Sequence, residues 1–262
     1  MDAWLERERV QYNNRKPANV EETVLTQVGR RLYHLIYKPL LMKQWNHFPT
    51  FLSSDFASQV SIRSDHKTGF YSDTYQALPS EGYATMFDNL LQHDKIHVST
   101  SVNYFSVRNR LTCGKTFYTG PIDSYFADSG CAKLEYRSLE RKRVAKDNVT
   151  VHSHQPILVV NHPKLDTPYS RVVEYKHFPG QQKSSDTVYF QEHFSDQGEP
   201  YYPVRNKRNN DLCSKYKEMA EKEKDVVFVG RLASFEYLEM DATVLRALEV
   251  FDSARYSIQW SS

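Results

Sequence analysis

Apolar residues recur at intervals of three and four through the early chain: Val20, Val24, Leu25, Val28, Leu32, Leu35 and Ile36. That spacing gathers them on one face of a helix. Asn19 followed three residues later by Glu22 supplies a capping-box start. Pro39 should kink or restart the helix, because it lacks an N–H and its ring crowds the turn before it. Helix is therefore predicted over about residues 19–57 with a break near Pro49, after a polar lead, helical or frayed, at residues 1–18.

Beyond that point the period changes. Gln59–Arg63 and Ile96–Thr100 alternate as strands do, and Thr116–Tyr118 is a third run, stopped by Gly120-Pro121. Met86, Phe87, Leu90 and Leu91 mark a helix between them. From residue 131 to 195 short β-type runs dominate: Leu134–Tyr136, Val149–Val151, Ile157–Val160, Arg171–Tyr175 and Thr187–Phe190. Turn residues such as His162-Pro163 and Pro179-Gly180 separate them, which predicts an antiparallel sheet. Leu212–Lys222 reads as a charged surface helix and Val226–Val229 as a buried strand. Met240, Val244, Leu248 and Phe251 line a closing helix. The fold class expected is α+β. Its parts are a helical region at 1–58, a strand and α/β segment at 59–128, an antiparallel sheet at 129–200, and a C-terminal strand with helices at 201–262.

Composition changes this picture little. Hydrophobic residues are 40% and charged residues 25%, enough for a sizeable globular core. A net charge of +2 gives no field that would select nucleic acid. The basic run Arg137, Arg141, Lys142, Arg143 and Lys146, interrupted by Glu140, reads as a solvated face. Three widely spaced cysteines offer neither zinc spacing nor a disulfide framework, which suits a reducing cytoplasm. The charged opening MDAWLERERV is no signal peptide, and no apolar stretch reaches the roughly 20 residues needed to span a bilayer. The 18 tyrosines suit either half-buried sheet faces or stacking on polar ligands, with equal weight.

Candidate chemistry is sparse at first sight. No two of the nine glycines stand two residues apart, so the glycine fingerprint of a dinucleotide site is absent, as is a Walker loop. His152 and His154 share one strand face, but without a third ligand they read as surface histidines, and no metal is expected.

One ordered set of blocks is more distinctive. Tyr118-Thr119-Gly120-Pro121-Ile122-Asp123-Ser124-Tyr125-Phe126 is followed by Leu134-Glu135-Tyr136-Arg137-Ser138-Leu139, Pro168-Tyr169-Ser170-Arg171 and Glu174-Tyr175-Lys176-His177-Phe178. Glu199-Pro200-Tyr201-Tyr202-Pro203-Val204 and the stretch from Val226 to Asp241 complete it. In order and spacing, over about residues 15–255, these blocks resemble UDP-galactopyranose mutase. The resemblance implies a flavoprotein that interconverts UDP-galactopyranose and UDP-galactofuranose through a reduced-flavin sugar adduct. FAD in its reduced form is then the nucleophile, and no protein side chain is catalytic.

Residue by residue, the resemblance assigns Trp45 of Lys43-Gln44-Trp45 to the sugar. It assigns Arg171, Tyr202 and Tyr237 to the diphosphate. Gly230, Arg231, Glu239 and Met240 go to the cofactor side, and Glu192 matches a family glutamate. This sequence departs from the family at Gln59, which stands for a phosphate arginine, unless Arg63 serves instead. Phe70 stands for a phosphate tyrosine, Leu40 for an aromatic on the uracil, and Glu239 for an aspartate. Neutral Gln makes a bond roughly half as strong as a charged one. The blocks match the C-terminal two-thirds of the family, and the N-terminal glycine motif has no counterpart. The expected partners are therefore a UDP-sugar and a separate FAD-domain polypeptide, with a homodimer also open and neither nucleic acid nor membrane expected. An exposed apolar flavin-side surface should follow. The alternative is a catalytically inactive homologue that binds a UDP-sugar or a partner subunit without turnover.

Overall fold

The computed structural model describes residues 2–9, 16–54, 73–146, 153–178 and 186–255. The predicted runs Gln59–Arg63 and Val149–Val151, and with them Gln59, Arg63, Phe70 and His152, lie outside the described residues. The chain forms two units, Met1–Ser64 with Lys115–Ser262, and Asp65–Gly114.

In the larger unit α1 (Asp2–Arg9) leads into α2 (Val20–Leu32). Asn19 Oδ1 accepts the Glu22 N–H at 2.9 Å, as the capping pattern requires. The Glu22 carboxylate returns to the N–H of Ala18 rather than to Asn19, so the box closes one residue early. Val20, Val24, Leu25 and Val28 are buried as the periodicity predicted. Gly29 then breaks the helix with φ +73°. A Cβ there would collide with Glu8, so the glycine is what lets α1 cross α2. The lead segment is thus a docked helix with Leu5 buried, and Arg9 donates to the Gln27 carbonyl near the kink.

Tyr33–Tyr37 is a π-helix, and α3 (Lys38–Trp45) continues from it. The Lys38 N–H reaches back five residues to Tyr33 O. The wide turn absorbs Pro39 near the start of α3, where a missing N–H costs least. Asn46 ends α3 in the left-handed region, and Pro49–Phe51 forms a 3₁₀ turn. Val20, Val24, Val28, Tyr33, Leu41, Trp45 and Leu52 pack into one core, which Val204 joins from the far end of the chain.

The smaller unit holds α4 (Gly82–Leu91) and α5 (Tyr104–Val107), and neither helix buries a residue. Ile96–Thr100, predicted as a strand, joins no ladder among the described residues, and Ile96 and Val98 are exposed. An alternating sequence becomes a strand only beside an edge that takes its hydrogen bonds.

The larger unit resumes with β1 (Thr116–Tyr118) and α6 (Ile122–Tyr125). Then come β2 (Tyr136–Lys146), β3 (Val159–Asn161), β4 (Arg171–Val173), β5 (Thr187–Ser195) and β6 (Tyr202–Pro203). These five make the expected antiparallel sheet, in the order β3-β4-β5-β2-β6. Next are α7 (Lys207–Ala220), β7 (Val226–Phe228) and α8 (Met240–Arg255). β7 pairs in parallel with β1 as a separate two-stranded sheet. A second core of Ile122, Leu134, Cys213, Tyr216 and Phe235 ties α6 and α7 together. Within it, Asp123 accepts from the Leu134 N–H and the Tyr136 hydroxyl. The fold is α+β, and no helix among the described residues is long and apolar enough to cross a membrane.

The basic run is solvated at Arg141, Lys142 and Arg143, as its composition suggests, but not at Arg137. It is the body of β2, the longest strand described. Arg137 is only 4% exposed. Strand alternation puts Arg137, Leu139, Arg141 and Arg143 on one face, where Arg137 is buried while Arg141 and Arg143 stay exposed.

Candidate functional site

Sheet register creates the centre of the site. Glu192 of β5 stands directly opposite Arg141 of β2 on one side and Arg171 of β4 on the other. Directly paired residues share a face. The Glu192 side chain is 2% exposed, and its two carboxylate oxygens are divided between the two guanidiniums. Arg141 Nε donates to Oε1 at 3.0 Å, and Arg171 Nε donates to Oε2. Burial pulls the Arg171 pKa down, but the charge and hydrogen bond of Glu192 outweigh it, so the net shift is upward and the cation is secure.

Beside this triplet lies a ring cluster built by four separate elements. Trp45, at the end of α3, is fully buried and meets Tyr202 of β6 edge-on, with centroids 6.2 Å apart. Tyr202 stacks on Tyr237 at 5.6 Å with 14° between the planes. Phe194 of β5 leans on Tyr202 from a third side at 5.9 Å. The Arg231 guanidinium lies 4.7 Å from the Tyr237 ring centre and 5.4 Å from that of Tyr202, a cation–π arrangement. Arg171 lies near Tyr202 and Tyr237, which joins the two halves of the site. Burial first, then Glu239 and Tyr202, push the Tyr237 hydroxyl up to about 12 against the opposing pull of Arg231 and Arg171. It therefore remains a neutral donor at any ordinary pH.

Of the residues singled out from the sequence, Trp45, Arg171, Tyr202, Tyr237, Arg231 and Glu192 come together. Gly230 and Arg231 begin the turn after β7, and Gly230 has φ +92°. Arg231 Nε donates to Leu238 O at 3.0 Å, which pins the guanidinium under the tyrosines. Glu239 and Met240 are exposed at the start of α8. Leu40 is half-buried on α3, outside the packed group around Trp45. His154 stacks flat on Tyr189 at 3.8 Å, and among the described residues no cluster of His, Cys, Asp or Glu could hold a metal.

Two arginines went unnoticed as site residues. Arg141 completes the Glu192 triplet. Arg137 donates to the Gln44 carbonyl at 2.8 Å and pairs with Asp196, so it ties the last turn of α3 to β2. The signal that marks both is their odd-numbered spacing with Leu139 inside a basic run, a strand period that net charge conceals. The whole arrangement is a net-positive group of guanidiniums with two tyrosine donors and an aromatic wall. Chemically it suits a diphosphate attached to a ring.

Comparison with known proteins identifies the family and the fold. The sequence profile described as UDP-galactopyranose mutase matches residues 35–237. A probable UDP-galactopyranose mutase of Klebsiella pneumoniae is 29% identical over 246 residues, covering 93% of this chain and 62% of that protein. A dTDP-fucopyranose mutase of Escherichia coli is 30% identical over 241 residues, covering 89% of this chain and 63% of that protein. The chain thus spans less than two-thirds of the length of these relatives. A solved structure of reduced UDP-galactopyranose mutase superposes with a TM-score of 0.65 at 12% identity, over 98% of this chain and 72% of that one, a likeness of fold. The profile match alone covers well over half of the sequence, so the chain belongs to the UDP-galactopyranose mutase family.

Proposed function

We propose that this chain supplies the substrate half of a mutase that interconverts UDP-galactopyranose and UDP-galactofuranose. One observation carries the reading: the shared carboxylate of Glu192 holds Arg141 and Arg171 beside the Tyr202–Tyr237 stack. Arg171 and Arg141 would grip the diphosphate and offset the charge that develops as it leaves the sugar. The Tyr202 and Tyr237 hydroxyls would donate to its oxygens. Tyr202 would wall the sugar, with the buried Trp45 packed behind it to hold its ring and exclude water.

The residues also fit the margin of a flavin dinucleotide. β1 and β7 run parallel, with Tyr118 beside Phe228, and Thr119 and Gly230 lie just past their carboxyl ends. Ligands of parallel sheets sit outside those ends. The positive φ of Gly230 and the charge of Arg231 suit a pyrophosphate there. When bound in reduced form, FAD would supply the nucleophile for the sugar. Glu239 and Met240, exposed at the head of α8, would border the cofactor. A flavin-domain polypeptide, in the same chain or separate, would complete the site over α8.

Calorimetric titration with UDP, followed by assay of UDP-galactofuranose conversion with reduced FAD, tests the reading. UDP binding with turnover supports it. Binding without turnover by the chain, even with its flavin-domain partner added, favours the non-catalytic alternative. Absence of UDP binding overturns the mutase reading and the UDP-binding form of the alternative, leaving only a partner-binding subunit.

A further inference from the structure

Lys43 lies within a turn of the cluster and has no place in the chemistry just described. Its ammonium donates to three backbone carbonyls: His162 O at 2.7 Å, Lys164 O at 2.8 Å and Tyr169 O at 2.8 Å. An ammonium has three N–H donors, and all are used. The three carbonyls belong to the loop between β3 and β4, whose last residues lead directly into Arg171. Two residues beyond Lys43 on the same helix is Trp45.

The backbone of this turn is gripped from the other side. The Lys43 and Gln44 carbonyls accept from Arg137, which is paired with Asp196, and Asn46 Nδ2 donates to the same Asp196 carboxylate at 2.7 Å. A cation at a helix C-terminus complements its dipole. Arg137 is also the register partner of Tyr202. The final turn of α3 is thus a joint. Arg137 sets Trp45 against Tyr202, and the Lys43 side chain carries the Arg171 loop on the same turn.

We propose that Lys43 is a positioning residue, one ammonium that fixes Arg171 and Trp45 relative to each other beside the Tyr202–Tyr237 stack. The inference rests on the diphosphate-site reading, but its structural half stands apart from it. A compact ammonium can point at three converging carbonyls, whereas a planar guanidinium cannot serve all three at once. Methionine has similar length and no donor.

The test compares wild type, Lys43→Met and Lys43→Arg. Hydrogen exchange on the free proteins reads the joint directly. In Lys43→Met the amides of residues 162–171 and of residues 38–46 should both exchange about tenfold faster, equivalent to ~1.4 kcal/mol of local opening. Those of α7 should not change. Lys43→Arg should show the same two segments loosened to a smaller degree, and it carries the test alone if the methionine variant does not fold. UDP titrated into the same samples should bind about tenfold more weakly to Lys43→Met. Adding Lys43→Met to Arg171→Lys should cost less than the sum of the two single changes, because both disturb one element. Unchanged exchange in either segment overturns the proposal, and so does strict additivity in UDP affinity. If wild type takes up no UDP, the proposed function fails and exchange alone decides the role of Lys43.

Discussion

Two side chains show how much depends on single partners. Glu192 holds both site arginines, whose side chains are 48% and 35% exposed. Glu192→Gln leaves two cations without their shared counter-charge, but solvent screens part of the loss. An expected cost of about 1–2 kcal/mol would be read from the denaturation midpoint. Tyr237→Phe is the opposite case. The stack on Tyr202 survives, so the unfolding midpoint should hold, while a hydroxyl donor to a charged ligand is lost. UDP should bind about tenfold more weakly in calorimetry, in line with a hydrogen bond worth ~1.5 kcal/mol to a charged group. Glu174 gives the pH dependence. It is fully buried, and burial alone would raise its pKa. Hydrogen bonds from Thr187 and the His154 and Gln155 amides, with His177 alongside, outweigh this and hold it below the ordinary value. A depressed folded pKa stabilises above the unfolded value and is lost as pH falls through the folded one. Stability should therefore drop as pH is lowered below about 4.3, the ordinary glutamate value. Urea midpoints taken across that range should fall less steeply in Glu174→Gln.

At the level of elements, the kink in the first long helix makes the sharpest prediction. Gly29 sits at φ +73° against Glu8. Gly29→Ala should cost ~1–3 kcal/mol from the backbone alone, because φ +73° with ψ 177° is a conformation that essentially only glycine adopts. It should also release α1, seen as faster proteolysis at residues 2–9. The same segment shows what the sequence could convey. The apolar period from Val20 to Val28 announced the helix and its buried face, because a 3.6-residue repeat is local information. The crossing of α1 was not visible, because Glu8 and Gly29 meet only in three dimensions. The five-stranded sheet was legible as a series of β-branched runs, except where arginines filled alternate places of β2. There the charge masked the period, and with it Arg141 and Arg137. Ile96–Thr100 fails in the other direction: its alternation is real, but a strand also needs an edge. Trp45, Arg171, Tyr202 and Tyr237 were found by likeness of ordered motifs. Their convergence through register and stacking is tertiary information that spacing does not carry.

On the scale of the whole molecule, apolar surface stays exposed in both units, on α4 in the smaller and on α8 in the larger. Met240, Val244, Leu245, Leu248 and Phe251 form a stripe along α8, each 49–58% exposed. Phe117 of β1 is exposed as well. Helices in globular proteins turn such stripes inward, and parallel strands ordinarily have both faces covered. Here β1 and β7 form a two-stranded parallel sheet of three residues each. An amphipathic helix with its apolar side in water lowers solubility without stabilising the fold, so its removal should leave the fold intact. Val244→Lys with Leu248→Lys should shift the unfolding midpoint by no more than ~0.5 kcal/mol, as for ordinary surface changes. The same pair should lower self-association in size-exclusion chromatography, because the stripe is the largest apolar feature of that helix. UDP affinity should be unaffected, since neither side chain belongs to the Arg171–Tyr202–Tyr237 group. A large loss of stability would mean that the stripe is packed within this chain. Loss of flavin-dependent turnover with UDP binding retained would instead mean that the stripe seats the polypeptide that completes the cofactor side.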